Sequence, residues 1–247
     1  MNGDFNFIAH THRYEVHNMD ERAPGQFQFL IDMINEKKSS TPRTIVFFVK
    51  HDHLVESYSY ITHYTGQQPG CEAPLVAMYH RSTTTEIKND VIADMKRPDG
   101  VLKVVLATSS LSMGIDMAGI KYVIHHGVPM TSDDFLQETG RAGREADSIC
   151  HSILLNYPHS TSGRAVSKSM MQFKLVKQST CRRNILLADY NSSVVQDVCC
   201  DICNPGGFGP YDFTLVNDEA ADDTATQSSH SPDDFEAETV SDSSSSE

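Results

Sequence analysis

Five short apolar runs, spaced through the first 158 residues, constrain the fold more than any other feature. They are "RTIVFFVK" (43–50), "APLVAMYH" (73–80), "LKVVLAT" (102–108), "IKYVIHHG" (120–127) and "CHSILLNY" (150–157). A half-exposed strand alternates apolar and polar residues, whereas a strand buried on both faces reads as a near-continuous apolar run. Such strands occur where helices cover both sides of a parallel sheet. The intervening segments supply helices. Pro24 to Lys37 places Phe27, Leu30, Ile31 and Ile34 at i, i+3, i+4 and i+7, and Thr83 to Met95 opens with Thr83-x-x-Glu86, a capping box. Pro98 and Gly100 stop that second helix. The pattern predicts a doubly wound α/β domain over residues 1–158, and ligands of such sheets sit beyond the carboxyl ends of the strands.

Residues 159–205 obey a different rule. A helical stretch from about Val166 to Lys177 leads into "CRRNILLADY" and then "CCDIC", so four of the six cysteines fall between Cys181 and Cys203. A segment this short buries too little surface to be stable alone, and clustered cysteines in a reducing compartment favour a metal over disulfides. A small helical, metal-stapled module is expected. From Gly206 to Glu247 periodicity is lost and the chain ends "SPDDFEAETVSDSSSSE". That composition offers little apolar surface to offset the entropy of ordering, so a disordered acidic tail is expected.

The net charge of -13 argues at first against a nucleic-acid partner, because phosphate contacts need Lys and Arg. Its distribution reverses that conclusion. Eleven acidic residues lie from Asp212 onward, so residues 1–211 carry only -2. No basic segment precedes an apolar run at the start, and no stretch approaches the roughly 20 apolar residues of a membrane span, so no membrane partner and a soluble intracellular protein are expected.

Two segments carry the chemistry. "ATSSLSMGIDMAGI" leaves its strand at Ala107 and Thr108 in a hydroxyl-rich turn that reaches Gly114 and Asp116. "MTSDDFLQETGRAGRE" starts a helix capped by Thr131 or Ser132 and ends in a turn built on Gly140 and Gly143, with Arg141 and Arg144 on it. Both are expected at the ligand edge of the sheet. Taken alone, the two arginines are most simply solvated loop charges; in this setting a phosphate-facing role is the better reading. His80, His125 and His126 are expected to satisfy packing and hydrogen bonds rather than to move protons.

In combination these stretches closely resemble the second motor domain of RecQ-family DNA helicases, a RecA-like fold. "ATSSLSMGID" resembles the fifth helicase motif, "QETGRAGRE" the sixth and "RTIVFFVKHDHLVE" the fourth, while "SKSMMQFKLVKQSTCRR" with "CCDIC" is similar to the family's zinc-binding module. The resemblance covers about Thr11 to Cys203. It implies ATP hydrolysis with Mg2+ coupled to 3′–5′ unwinding of DNA, single-stranded or forked, in nuclear repair and recombination. It also implies roles for residues. Arg144 is the arginine finger, Arg141 addresses the phosphates, and Gln137 couples nucleotide state to domain closure. Gly114 and Asp116 lie near the nucleotide or its metal, and Thr108 and Ser109 contact the DNA backbone. The zinc ligands implied are Cys181, Cys200 and Cys203 with Cys199 as the fourth, Asp197 or a distant histidine being the alternatives.

An arginine finger needs a domain that holds ATP, through G-x-x-x-x-G-K-[ST] and an acidic magnesium-binding segment. The 247 residues contain no Gly-Lys pair, and "DEAAD" (218–222) is a coincidence of tail composition. A first RecA-like motor domain, in cis or in trans, is therefore the expected partner, and without it the isolated chain is expected to be inactive. The alternative is a stand-alone nucleic-acid-binding or regulatory module. Three departures from the family are visible: Tyr79-His80-Arg81-Ser82-Thr83 stands where "YHAGL" is common, "MTSDD" is atypical, and no winged-helix pattern comes after Cys203. Serines beside acids in "SDSSSSE" are candidate phosphorylation sites.

Overall fold

The computed structural model describes residues 12–19, 26–67, 74–111, 117–143, 150–177, 180–190 and 199–205. The chain runs β1 (His12–Asn18), α1 (Gln28–Lys37), β2 (Arg43–Phe48), α2 (His51–Tyr64), β3 (Val76–Tyr79), α3 (Thr85–Lys96), β4 (Val104–Ala107), β5 (Ile120–His126), α4 (Ser132–Thr139), β6 (Cys150–Asn156), α5 (Lys168–Leu175) and α6 (Arg182–Leu187). Six strands form one sheet in the order β1-β6-β5-β2-β4-β3, with every neighbouring pair parallel.

Five strands coincide with the apolar runs, trimmed by a residue or more. The sixth, β1, carries "HRYEVHN", which no run announced. Helices pack on both faces. Leu30, Ile31 and Ile34 of α1 and Leu54 and Ile61 of α2 join Val46, Phe48, Ile124 and Leu155 in one layer. On the other face, Val91 and Met95 of α3 meet Ile45, Phe47, Val105 and Val123. Beside them Phe135 and Leu136 of α4, Met170 and Phe173 of α5 and Leu186 of α6 meet Tyr14 and Leu154. Burial of such side chains contributes about 1.5–3 kcal/mol each, so the alternation of strand faces holds both helical layers. No helix among the described residues is long and apolar enough to cross a membrane.

Helix ends show where local chemistry acts. Thr84, not Thr83, caps α3, accepting from the Ile87 amide, and Thr83 instead accepts from the His80 amide. The expected capping box is thus displaced by one residue, which leaves Glu86 a position too early for the reciprocal bond. Thr131 caps α4 by accepting from the Asp134 amide, and Ser167 caps α5 from the Met170 amide. α1 begins at Gln28 rather than Pro24, residues 20–25 lying outside the described set. At the far end of α3, buried Arg43 donates to the carbonyls of Met95 and Ala118 and so satisfies groups a helix terminus leaves open.

Candidate functional site

Thr108 and Ser109 come directly after β4, at the carboxyl edge of the sheet, because the strand must turn there. The Thr108 amide donates to the Tyr79 carbonyl, and its hydroxyl lies 2.9 Å from that of Ser110. Thr108 is half-buried and Ser109 exposed, so hydroxyls are presented beyond the strand ends. On the same edge His80, after β3, meets His51, which opens α2; Nε2 and Nδ1 are 3.3 Å apart. Burial, with the charges of His51 and Lys88, lowers the pKa of His80.

The turn that carries Arg141 lies away from that edge. α4 must run back against the strands to connect β5 to β6, and it carries its C-terminal turn over the sheet face toward the amino ends. Ala142 packs in the layer holding Ile120 and Cys150, the first residues of β5 and β6, and its backbone hydrogen-bonds His12, the first residue of β1. Both motif segments thus leave the sheet at its carboxyl edge, after β4 and β5, as expected, but α4 carries its terminal turn, as far as Gly143, away from that edge.

Along α4 the side chains divide. Gln137 is exposed. Its neighbour Glu138 is buried and bonds His125 Nε2 at 3.0 Å, and His125 stacks on Phe47 with ring centroids 5.5 Å apart. His125 thus satisfies packing and hydrogen bonding, and His126 likewise bonds Gln26 at 3.1 Å between Phe48 and Tyr157. After the helix, the Gly140 amide returns to Leu136 and the Ala142 amide to Thr139, and Gly143 takes a φ of 69°, a left-handed conformation that glycine adopts without strain. Arg141 is only 5% exposed, which sets aside the solvated-charge alternative for that residue. Arg144, Gly114 and Asp116 lie outside the described residues.

The four cysteines do converge. Cys181 stands just before α6, while Cys199, Cys200 and Cys203 close around a tight turn. Their sulfur atoms all lie within 4.8 Å of one another. Cys181 and Cys199 are 3.1 Å apart, Cys199 and Cys203 3.4 Å, Cys200 and Cys203 3.5 Å, and Cys181 and Cys200 4.0 Å. Four thiolates bound tetrahedrally at about 2.3 Å from zinc would be about 3.8 Å apart, so the donor set fits that ion. Adjacency of Cys199 and Cys200 does not prevent convergence. Asp197 lies outside the described residues, and no described histidine joins the group. Burial pushes the Cys199 thiol up to about 11, and the hydrogen bond with Cys181, then burial, pushes Cys200 up to about 12. A bound dication reverses that tendency by stabilising thiolates.

The surroundings of the cluster add partners that the sequence reading did not include. Arg182 grips Asp201 through two bonds, 2.5 and 2.9 Å, and also donates to the Phe173 carbonyl. Asp201 in turn accepts from the Val16 amide and donates its own amide to the Tyr14 carbonyl, while the Tyr14 amide donates to Cys199. Arg183, 1% exposed, donates to the His12 carbonyl and lies over the Tyr14 ring. The doublet after Cys181 and the aspartate after Cys200 were the available sequence signal: charges this close to buried cysteines need partners.

Comparison with known proteins agrees with this arrangement. The helicase conserved C-terminal domain matches residues 25–146, from just before α1 to just beyond the Gly143 turn. The chain is 31% identical over 177 residues to the bifunctional 3'-5' exonuclease/ATP-dependent helicase WRN of Mus musculus, covering 56% of this chain and 12% of that protein. It is 32% identical over 144 residues to the ATP-dependent DNA helicase RecQ of Haemophilus influenzae, covering 51% and 23%. With the ATP-dependent DNA helicase Q1 of Mus musculus it shares 27% identity over 201 residues, covering 77% and 29%. The chain thus spans less than a third of the length of each of these relatives. Together these matches support a C-terminal half of a RecQ-family DNA helicase.

Proposed function

We propose that this chain is the C-terminal half of an ATP-dependent 3′–5′ DNA helicase acting in the nucleus. Thr108 and Ser109 contact the DNA backbone at the carboxyl edge, since hydroxyls commonly donate to phosphate oxygens. Arg144 and Arg141 stabilise charge on the transferred phosphoryl group, with Gln137, Gly114 and Asp116 beside the nucleotide and its Mg2+. A first RecA-like motor domain holds that nucleotide. The observation that carries the proposal is the "QETGRAGRE" sequence, whose described part, through Gly143, ends α4 on the sheet face inside the stretch that matches the helicase domain. A stand-alone module is not favoured, because the relatives are helicases. Cys181, Cys199, Cys200 and Cys203 hold one Zn2+, which contributes folding energy rather than chemistry.

The test joins this chain, in cis or by mixing, to a Walker-bearing first motor domain. DNA-stimulated ATP hydrolysis is expected, falling roughly 10³-fold or more with Arg144→Ala. Hydrolysis indifferent to that substitution overturns the assignment. Elemental analysis is expected to give one zinc per folded chain.

A further inference from the structure

The two lateral edges of the sheet are not equivalent. β1 is covered, whereas among the described residues nothing pairs with the outer side of β3. In a parallel ladder alternate residues address the neighbouring strand; Leu75 and Tyr79 accept from the β4 side, so Val76 and Met78 direct their backbone groups outward. Val76 is already engaged, because Gln67 Oε1 accepts from the amides of Leu75 and Val76 at 2.8 and 3.2 Å. The Gln67 side chain thus occupies the place of a peptide carbonyl on an adjacent strand. Its Nε2 is shielded from water and has no hydrogen-bond partner among the described residues, a costly condition that an incoming carbonyl would relieve.

The edge opens into a cavity of about 800 Å³, walled by α2 through Thr62 and by α3 through Ile87, Asp90 and Val91, with Met78 between. Ile87 and Val101 on its rim are 49% and 38% exposed. Two charges there are engaged: Asp94 accepts the amides of Val101 and Leu102, and Arg97 pairs with Asp99. Asp90, exposed, also lines the cavity, and no ion pair reaches it among the described residues. Apolar walls, free strand groups, a spare amide donor and one uncompensated carboxylate define complementary chemistry.

We infer that the outer edge of β3 docks an extended peptide segment of a protein partner, apolar at alternate positions and carrying a Lys or Arg that meets Asp90. The added strand pairs with the Met78 amide and carbonyl and accepts from Gln67, while its alternate side chains enter the cavity. Neither Thr108, Ser109 nor Arg141 lines the cavity, and the proposal does not depend on the helicase assignment.

The probe is a labelled peptide of sequence Lys-Val-Thr-Val-Thr-Val-Lys, blocked at both ends, followed by fluorescence anisotropy and by amide hydrogen exchange. Saturable binding is expected, with the Met78 amide exchanging at least about tenfold more slowly. Met78→Pro removes the outward N–H at an edge position that tolerates proline and is expected to abolish binding. Gln67→Glu keeps the acceptor for Leu75 and Val76 but removes the spare donor, so it is expected to weaken binding while the thermal transition persists. Replacing both peptide lysines by glutamate is expected to weaken it further. Unchanged exchange at Met78, or binding indifferent to Gln67→Glu and to peptide charge, overturns the proposal. Protection of Met78 that rises with protein concentration and no peptide also overturns it, since a second copy would then be the occupant.

Discussion

The covered and open edges of the sheet solve one problem in opposite ways. An exposed strand edge is a template for unwanted pairing. At β1 the chain covers that template itself: Cys199 and Asp201 bond the Tyr14 backbone, and Arg182 fastens Asp201 to the body. At β3 the strand is only four residues long, and two side chains, Gln67 and Thr83, take outward amides at its ends. The first edge depends on a distant, metal-capable segment and the second on local side chains. Perturbations should therefore be large on one side and small on the other.

The largest effect is expected at the cysteines. Cys200→Ser, or prolonged chelation, should release the 199–205 segment and speed hydrogen exchange at the Tyr14 amide, leaving the β3 edge unaffected; protection at Tyr14 that survives zinc loss would break the contrast. Next, Arg182→Ala should destabilise by about 3 kcal/mol in urea unfolding, because it leaves Asp201 and the Phe173 carbonyl without their donor. A lysine there cannot make the same two-bond grip and should restore only part.

A third effect concerns pH. Burial lowers His126 to about 3 and His12 to about 4, so both are neutral in the fold. The unfolded chain takes up their protons below its ordinary histidine pKa, so stability is full above about pH 6.5 and falls as pH drops toward those values, by on the order of 3–5 kcal/mol per group. Glu15 acts in a lower window. Burial alone would raise its pKa, but hydrogen bonds from His151 and His17 hold it down to about 2, so its contribution is lost between roughly pH 4.5 and 2. His126→Phe should flatten the slope between pH 6.5 and 3 in unfolding measured across that range. All three groups lie on β1 or β5, away from the open edge. The smallest effect belongs to that edge: Thr84→Ala should cost about 0.5–1 kcal/mol through the lost cap of α3.

Four strands were legible because burial on both faces leaves an apolar run, and β3 reads the same way although its middle residues Ala77 and Met78 are only half-buried. β1 was not, and the reason is specific. Tyr14 packs into one layer, but Glu15 and His17 on the opposite side bond each other, and His151 lies within 3.8 Å of Glu15, so a buried face is spelled in polar letters. The cysteine positions were legible; their convergence was not, because adjacency in sequence says nothing of how a turn aims two side chains. For the "QETGRAGRE" segment the residues were legible and the position was not. An eight-residue helix carries the turn at its C-terminal end about 12 Å along the sheet, enough to move it from one end of the strands toward the other. Thr84 was missed for Thr83 because only Thr83 stands three residues before Glu86, whereas the backbone enters the helix one residue later.

The buried pair of His125 and Glu138 constrains how α4 can move. Rotating that helix about its axis would strand a carboxyl group beneath the protein surface, so Gln137 cannot respond to outside contacts by swivelling alone. Whatever force is applied at Gln137 passes through Glu138 into β5 at the centre of the sheet. The helix is thereby pinned to the middle of the sheet at the residue next to its outward glutamine.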